Sequence, residues 1–386
     1  MKSGRSTRRR AFKAAAAAGA VALALAVGEV AARIARVAPH GKAEPLYDMD
    51  PFSHHRPRPG YRSDDGVVRV NSLGYRDEEE FPREKPPGER RILFLGDSFV
   101  FGGYRPAAET FVGRCARAIA AVASGVRAIN ASCPEWGTRH EAAALEHHDL
   151  PLSPDVVVLC FYVGNDLFDN LSEEPYEVEV AGDGTLTLTK REQQSLRKRI
   201  LAHSRLYQLY DSTAFATWLR HPFGVEDNFQ RPPNSSRLRE DTYYELERRD
   251  LEVCRRGAAD RPPLDEAWRL TEQFLAKIAT LAAGAGAKTS LVVIPDEAQV
   301  DEGLRAELAR RFHLDEKDFD LDQPQRRLAE IARRLGLPLV DLLPAFREKG
   351  RKGGLYEPVD THWNGAGQAL AADLVAPGLV LLLPSR

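Results

Sequence analysis

Apolar and polar positions along the chain follow two periods, and the switches between them mark out the elements. Arg91–Leu95 is a tight apolar run closed by Gly96, the pattern of a strand buried on both faces. Ala107–Val122 carries Phe111, Val112, Cys115, Ile119 and Ala120 at helical spacing. Val126–Ala131 reads as a second strand, Arg139–His148 as a helix, and Asp155–Tyr162 (DVVVLCFY) as the strongest strand of the chain. Strand, helix, strand, helix, strand is the order of a parallel sheet with helices on both faces. The order resumes with a helix at Leu264–Ala285 and a strand at Lys288–Ile294. Helices at Asp301–Phe312 and Pro324–Leu335, a strand at Leu337–Val340 and a helix at Gly365–Leu374 complete it. The pattern predicts an α/β fold with five parallel strands.

Two stretches depart from this pattern. Residues 38–90 are rich in Pro, Arg, Asp and Glu and read as an extended lead-in wrapping the domain, with a short strand near Gly66–Val70. Between Asn170 and Pro263, Tyr176–Val180 and Thr185–Thr189 flank Ala181-Gly182-Asp183-Gly184 as a β-hairpin. Arg191–Leu219 looks helical in two pieces, and Phe223–Pro263 is charged, with Pro232-Pro233 inside it and Pro262-Pro263 at its end. Residues 171–263 are therefore expected to be a surface insertion near the functional edge of a domain spanning 91–386. Its aromatic residues Tyr207, Tyr210, Phe215, Trp218 and Phe223 stand at near-helical spacing, which suits core packing better than a substrate groove.

The N-terminus has a different composition. Lys2, Arg5, Arg8, Arg9, Arg10 and Lys13 precede an uncharged, alanine-rich run from Ala14 to Val27. A basic stretch followed by a short apolar one is the build of an export signal, and Thr7-Arg8-Arg9-Arg10-Ala11-Phe12-Lys13 resembles a twin-arginine signal. As a helix that run spans about 21 Å, short of a hydrocarbon core of about 30 Å. Both cleavage after Ala26 and retention of residues 1–37 as a weak anchor are open. Either way the basic end stays on the cytoplasmic side and the remainder is expected outside. The formal charge is −2, and setting aside those six basic residues leaves −8, which argues against a nucleic-acid partner. Cys115, Cys133, Cys160 and Cys254 are too few for a disulfide scaffold and contain no C-x-x-C pair. Cys115, Cys133 and Cys160 fall in or beside predicted core elements as small hydrophobes. The adjacent pairs His54-His55 and His147-His148 do not share a helix face, so no metal site is expected.

Three motifs fall at strand ends or helix starts. Gly96-Asp97-Ser98-Phe99 follows the first sheet strand, where an open α/β sheet binds ligands. A serine there exposes its hydroxyl and places its N–H among the unpaired donors of a helix start, although an N-cap serine after a tight turn has the same pattern. Val163-Gly164-Asn165-Asp166 follows the third strand, where an asparagine amide can donate to an oxyanion. Asp360-Thr361-His362-Trp363-Asn364 precedes the last helix. A histidine can take the proton of a serine there, with a carboxylate fixing its tautomer. Their order is nucleophile, oxyanion donor, acid–base pair.

Together, "RILFLGDSFVFG", "FYVGND" and "DTHWNGAG" resemble the SGNH (GDSL-type) hydrolase superfamily over about residues 91–170 and 264–378. The resemblance implies a flavodoxin-like three-layer α/β/α fold and cofactor- and metal-free cleavage or transfer of acyl esters on small molecules, glycans or lipids. It places the nucleophile at Ser98, the base at His362, its acid at Asp360 and the oxyanion asparagine at Asn165. Two departures stand out. The family's second block has Asn, four residues, then Gly; here "NASCPEWGT" puts Glu135 at that position and Gly137 two later. The third oxyanion donor is thus the Glu135 N–H, or that of Gly137 if the loop slips. Position 359, where the family's acid stands, is Val, and Asp360 lies only two residues before His362. That spacing, with Trp after the histidine, looks like the alginate O-acetyltransferases, whose serine however follows the histidine. "VNSLGYRDEE" before "RILFLGDS" resembles the front of uncharacterised, membrane-anchored members. The expected activity is an exported or membrane-tethered serine esterase. The alternatives are a polysaccharide O-acyltransferase using the same site and a non-catalytic envelope protein on the same scaffold.

Overall fold

The computed structural model describes residues 46–171 (without 64 and 104), 176–180, 186–190 and 238–385, together with helical residues between 12 and 31. The chain divides into two compact units. Met1–Ala43 with Glu192–Asp227 forms one, in which Leu23, Leu25, Val27 and Val30 are exposed on a helix. The helices expected over Arg191–Leu219, with their aromatic residues, lie outside the described residues.

The other unit, Glu44–Arg191 with Asn228–Arg386, is built on a five-stranded sheet. Its strands are β3 (Arg90–Leu95), β4 (Val126–Asn130), β5 (Val156–Tyr162), β8 (Lys288–Ile294) and β9 (Leu339–Asp341). They lie in the order β4-β3-β5-β8-β9, and every pairing is parallel. In chain order this is 2-1-3-4-5, the flavodoxin-like winding, which reverses direction between β3 and β5.

Side chains alternate across each strand, and both faces are dry. On one face Leu93, Leu95, Ile129, Val157, Leu159 and Phe161 pack with α3 (Thr138–Ala144), α6 (Leu264–Gly284) and α9 (Gln323–Leu335). On the other, Ile92, Phe94, Val156, Val158 and Cys160 pack with α2 (Phe111–Ala120) and α11 (Gly365–Leu382). All seven residues of β5 are buried, which is why its run is the most uniformly apolar. All four cysteines are free and buried. The expected hairpin is present as antiparallel β6 (Tyr176–Val180) and β7 (Leu186–Lys190).

The lead-in differs from expectation. No strand forms at Gly66–Val70, only an isolated bridge between Arg62 and Arg69. There the Val67 and Val68 N–H groups donate to the side chains of Asp65 and Ser63, a local alternative to a ladder. Strands form earlier instead, as the hairpin β1 (Tyr47–Asp50) and β2 (His54–Pro57).

The charged stretch before Pro263 contains α5 (Glu240–Leu251), which turns Tyr243, Glu247, Asp250 and Leu251 inward rather than lying on the surface. Helix α11 runs past Leu374 and through Pro377, because Ala376 and Leu379 still have core to cover. By length and composition α11 could cross a membrane, but its buried face belongs to the core. The helix from Thr138 stops at Ala144 and continues as a single wide turn over Leu145–Asp149.

Candidate active site

Gly96 allows the turn after β3. A Cβ there would lie 2.3 Å from Val100 Cγ2, so only glycine lets the chain fold back this closely. The short helix α1 (Ser98–Phe101) follows, capped by the Asp97 side chain, which accepts from the Phe99 N–H at 2.9 Å. Ser98 is its first residue, half-buried, and its N–H makes no hydrogen bond among the described residues.

His362 reaches this serine from the loop before α11. Its Nε2 lies 2.7 Å from Ser98 Oγ, and its Nδ1 lies 2.5 Å from Asp360 Oδ1. The Asp360 carboxylate also accepts from the His362 N–H at 2.9 Å, so the acid closes the loop on itself. Val359 makes this two-residue spacing work by adopting φ +57, left-handed and unusual for a β-branched residue. Its carbonyl accepts from Leu238 N–H at 3.0 Å, which helps hold the strained turn. Trp363 is buried against Phe99, Phe111 and Phe346, and an Arg105–Glu357 ion pair ties the loop to the segment after α1. The His362 side chain remains 39% exposed and open to a substrate. An imidazole so placed can deprotonate the hydroxyl, and the carboxylate can stabilise the resulting imidazolium.

Because β3 lies between β4 and β5, Ser98 lies between the loops that follow those two strands. Asn165 caps α4 (Asp166–Asp169), and its amide donates to Asp169 Oδ2 at 2.6 Å. That bond fixes the amide and leaves its second N–H for another acceptor. On the β4 side the loop does not slip. The Gly137 N–H donates to His140 Nδ1 at 3.2 Å, and a Cβ on Gly137 would meet the Asp169 Cβ at 2.8 Å. Glu135 adopts φ +65, the conformation expected of the glycine it replaces, and its N–H has no partner among the described residues. Among the described residues the N–H groups of Ser98 and Glu135, and one N–H of the Asn165 amide, are therefore open to an acceptor.

The sequence gives no sign of the buried acids beneath this rim. Asp97, Glu141 and Asp166 are fully buried, and one oxygen of Asp97, one of Asp166 and both of Glu141 lack hydrogen-bond partners among the described residues. Burial pushes Asp97 up to about 6 and Asp169 up to about 8. Glu141 is held well above the carboxylate range by burial and then by the charge of Asp97, and Asp166 by burial and then by the charges of Asp97, Glu141 and Asp169. For His362, burial pulls the pKa down, but the hydrogen bond and charge of Asp360 and then the charge of Asp97 outweigh it, and the net shift is upward. Acidic residues normally signal surface, so only Asp97 and Asp166, inside the motifs, and Asp169, one helical turn after Asn165, stand where the sequence draws attention to them. Among the described residues no group of three or more His, Cys, Asp or Glu side chains is arranged to hold a metal ion.

The profile of the GDSL-like lipase/acylhydrolase family matches residues 94–370, which takes in all three motifs. No curated protein matches the chain. Similar solved structures include the acetyl xylan esterase AlAXEase, at 13% identity and a TM-score of 0.39, covering 75% of this chain and 99% of that one. A catalytic mutant of an acetylxylan esterase from Geobacillus stearothermophilus gives 14%, 0.39, 78% and 100% in the same order. TesA gives 15%, 0.38, 76% and 100%. The family match spans well over half of the sequence, with Ser98, Asn165 and His362 inside it, and the chain belongs to the GDSL-like lipase/acylhydrolase family of ester-acting hydrolases.

Proposed function

We propose that the protein is an exported or membrane-tethered serine esterase acting on acetyl or other short-chain acyl esters of small molecules, glycans or lipids. One observation carries the mechanism, the Ser98 Oγ–His362 Nε2 contact of 2.7 Å backed by Asp360 on the far ring nitrogen. Ser98 attacks the ester carbonyl as His362 takes its proton. The oxyanion is held by the N–H groups of Ser98 and Glu135 and the Asn165 amide. His362 then protonates the leaving alcohol, and water, deprotonated by the same ring, releases the acid. The exposed Leu23, Leu25, Val27 and Val30, after the basic N-terminus, support tethering and an extracytoplasmic catalytic domain.

The test is labelling of the purified full-length chain by a fluorophosphonate, followed by a panel of acyl esters. Labelling at Ser98 supports the reading, and an unlabelled, folded protein leaves only a silent scaffold. Asn165→Ala, which removes one oxyanion donor, is expected to lower kcat about 10²–10³-fold, measured as initial rates on an acetyl ester.

A second reading, transfer of the acyl group to a sugar hydroxyl, is favoured by the Asp-x-His-Trp arrangement that the Val359 turn permits. Adding an acceptor glycan distinguishes the two: acylated glycan accumulates in one case and free acid in the other.

A further inference from the structure

Glu135 departs from its family, and its conformation gives no local reason for the change. At φ +65 any side chain costs about 1–2 kcal/mol that glycine would not. A residue held there against that preference points to a use for its side chain. The Glu135 side chain is exposed at the rim and pairs with no cation among the described residues. It is near enough for its charge to act on Asp169, the carboxylate holding the Asn165 amide, and on His55, whose Nε2 is bound at 2.9 Å to the carbonyl of Pro134. Among the described residues, then, a negative charge without an ion-pair partner stands at the rim beside two of its three oxyanion donors. Arg249, whose charge acts on Asp169, is engaged by Asp250 at 2.6 Å, and Arg105 is engaged by Glu357.

Resting on the esterase reading of Ser98, we propose that the Glu135 carboxylate selects substrate by charge. The site accepts esters that are neutral or cationic near the scissile carbonyl and disfavours those carrying a carboxylate, phosphate or sulfonate there. A substrate charge a few ångströms from an exposed carboxylate has its apparent affinity changed severalfold, and opposite signs change it in opposite directions.

The experiment compares kcat/KM of the full-length protein and Glu135→Gln for acetylcholine and for the acetyl ester of 4-hydroxybenzenesulfonate, at low and at 1 M salt. The intrinsic reactivity of each ester cancels when the ratio of the two kcat/KM values in the variant is divided by the same ratio in the parent. That ratio is expected to fall about tenfold in the variant, and the difference is expected to shrink at high salt. Glu135→Gly, whose backbone suits the turn better, keeps the test open should the glutamine variant not fold, and it is expected to shift the ratio in the same sense. An unchanged ratio with hydrolysis still dependent on Ser98 overturns the proposal alone. If Ser98→Ala hydrolyses both esters as fast as the parent, the esterase reading falls and the charge filter with it.

Discussion

Ser98→Ala is expected to lose at least 10⁴-fold in kcat on any ester the protein hydrolyses, and as much as about 10⁶-fold. The loss is large because the hydroxyl 2.7 Å from His362 Nε2 is the nucleophile of the proposed acyl-enzyme, and an alanine cannot form it. It is not total, because the residue 98 N–H, the Asn165 amide and the Glu135 N–H remain to bind an oxyanion formed by water attack. The substitution removes one half-buried oxygen and leaves the cap bond from Phe99 to Asp97 untouched, so the thermal transition should barely move. Initial rates on a chromogenic acetyl ester, with circular dichroism as the folding control, check both statements. Equal turnover by parent and variant would end the serine mechanism.

Asp360→Asn is expected to cost about 10⁴-fold, nearly as much as loss of the serine. Asparagine keeps the shape, but its amide can turn an N–H₂ toward His362 Nδ1. The ring proton then moves to Nε2, the nitrogen that must accept from Ser98. The pH profile gives a second signature. His362 works as a base only when neutral, so activity falls as pH drops through its pKa. In the parent that pKa lies above the usual 6.5, because the bond and charge of Asp360 outweigh the opposing effect of burial. Without the carboxylate the upward contribution is lost, burial acts with less opposition, and the acid limb of residual activity moves to lower pH. A limb that stays in place, or moves upward, would mean that Asp360 does not act on this ring.

The frame of this fold was readable because its strands are buried on both faces, where apolar runs are unbroken and flanking glycines mark the turns. The candidate residues Ser98, Asn165 and His362 stand out in the sequence for a related reason, since each lies in a short motif at a strand end or helix start. Other features were hidden by the physics that makes them work. Val359 in a left-handed turn is invisible to pattern, because β-branched residues normally avoid it. Helix α5 was missed because a segment as charged as EDTYYELERRDL reads as solvated surface, yet Glu247 and Asp250 face inward. Gly66–Val70 has strand composition, but nearby Ser63 and Asp65 capture the backbone donors a ladder would need. The choice between Glu135 and Gly137 needed the side chain of His140, which sequence spacing does not place.

The carboxyl groups packed under the catalytic rim set activity and stability against each other. Each binds its proton more tightly in the native chain than in the unfolded one, since Asp97 and Asp169 are raised to about 6 and about 8 and Glu141 and Asp166 are also held well above the carboxylate range. Between about pH 4, where such groups ionise when unfolded, and those elevated values, the native state carries the extra protons. Its free energy of unfolding must therefore decline as the solution becomes more alkaline. Turnover needs the opposite, a deprotonated imidazole. Melting temperature and hydrolysis rate, followed together from pH 5 to pH 9, should move in opposing directions, so that the useful range is a band bounded below by chemistry and above by unfolding.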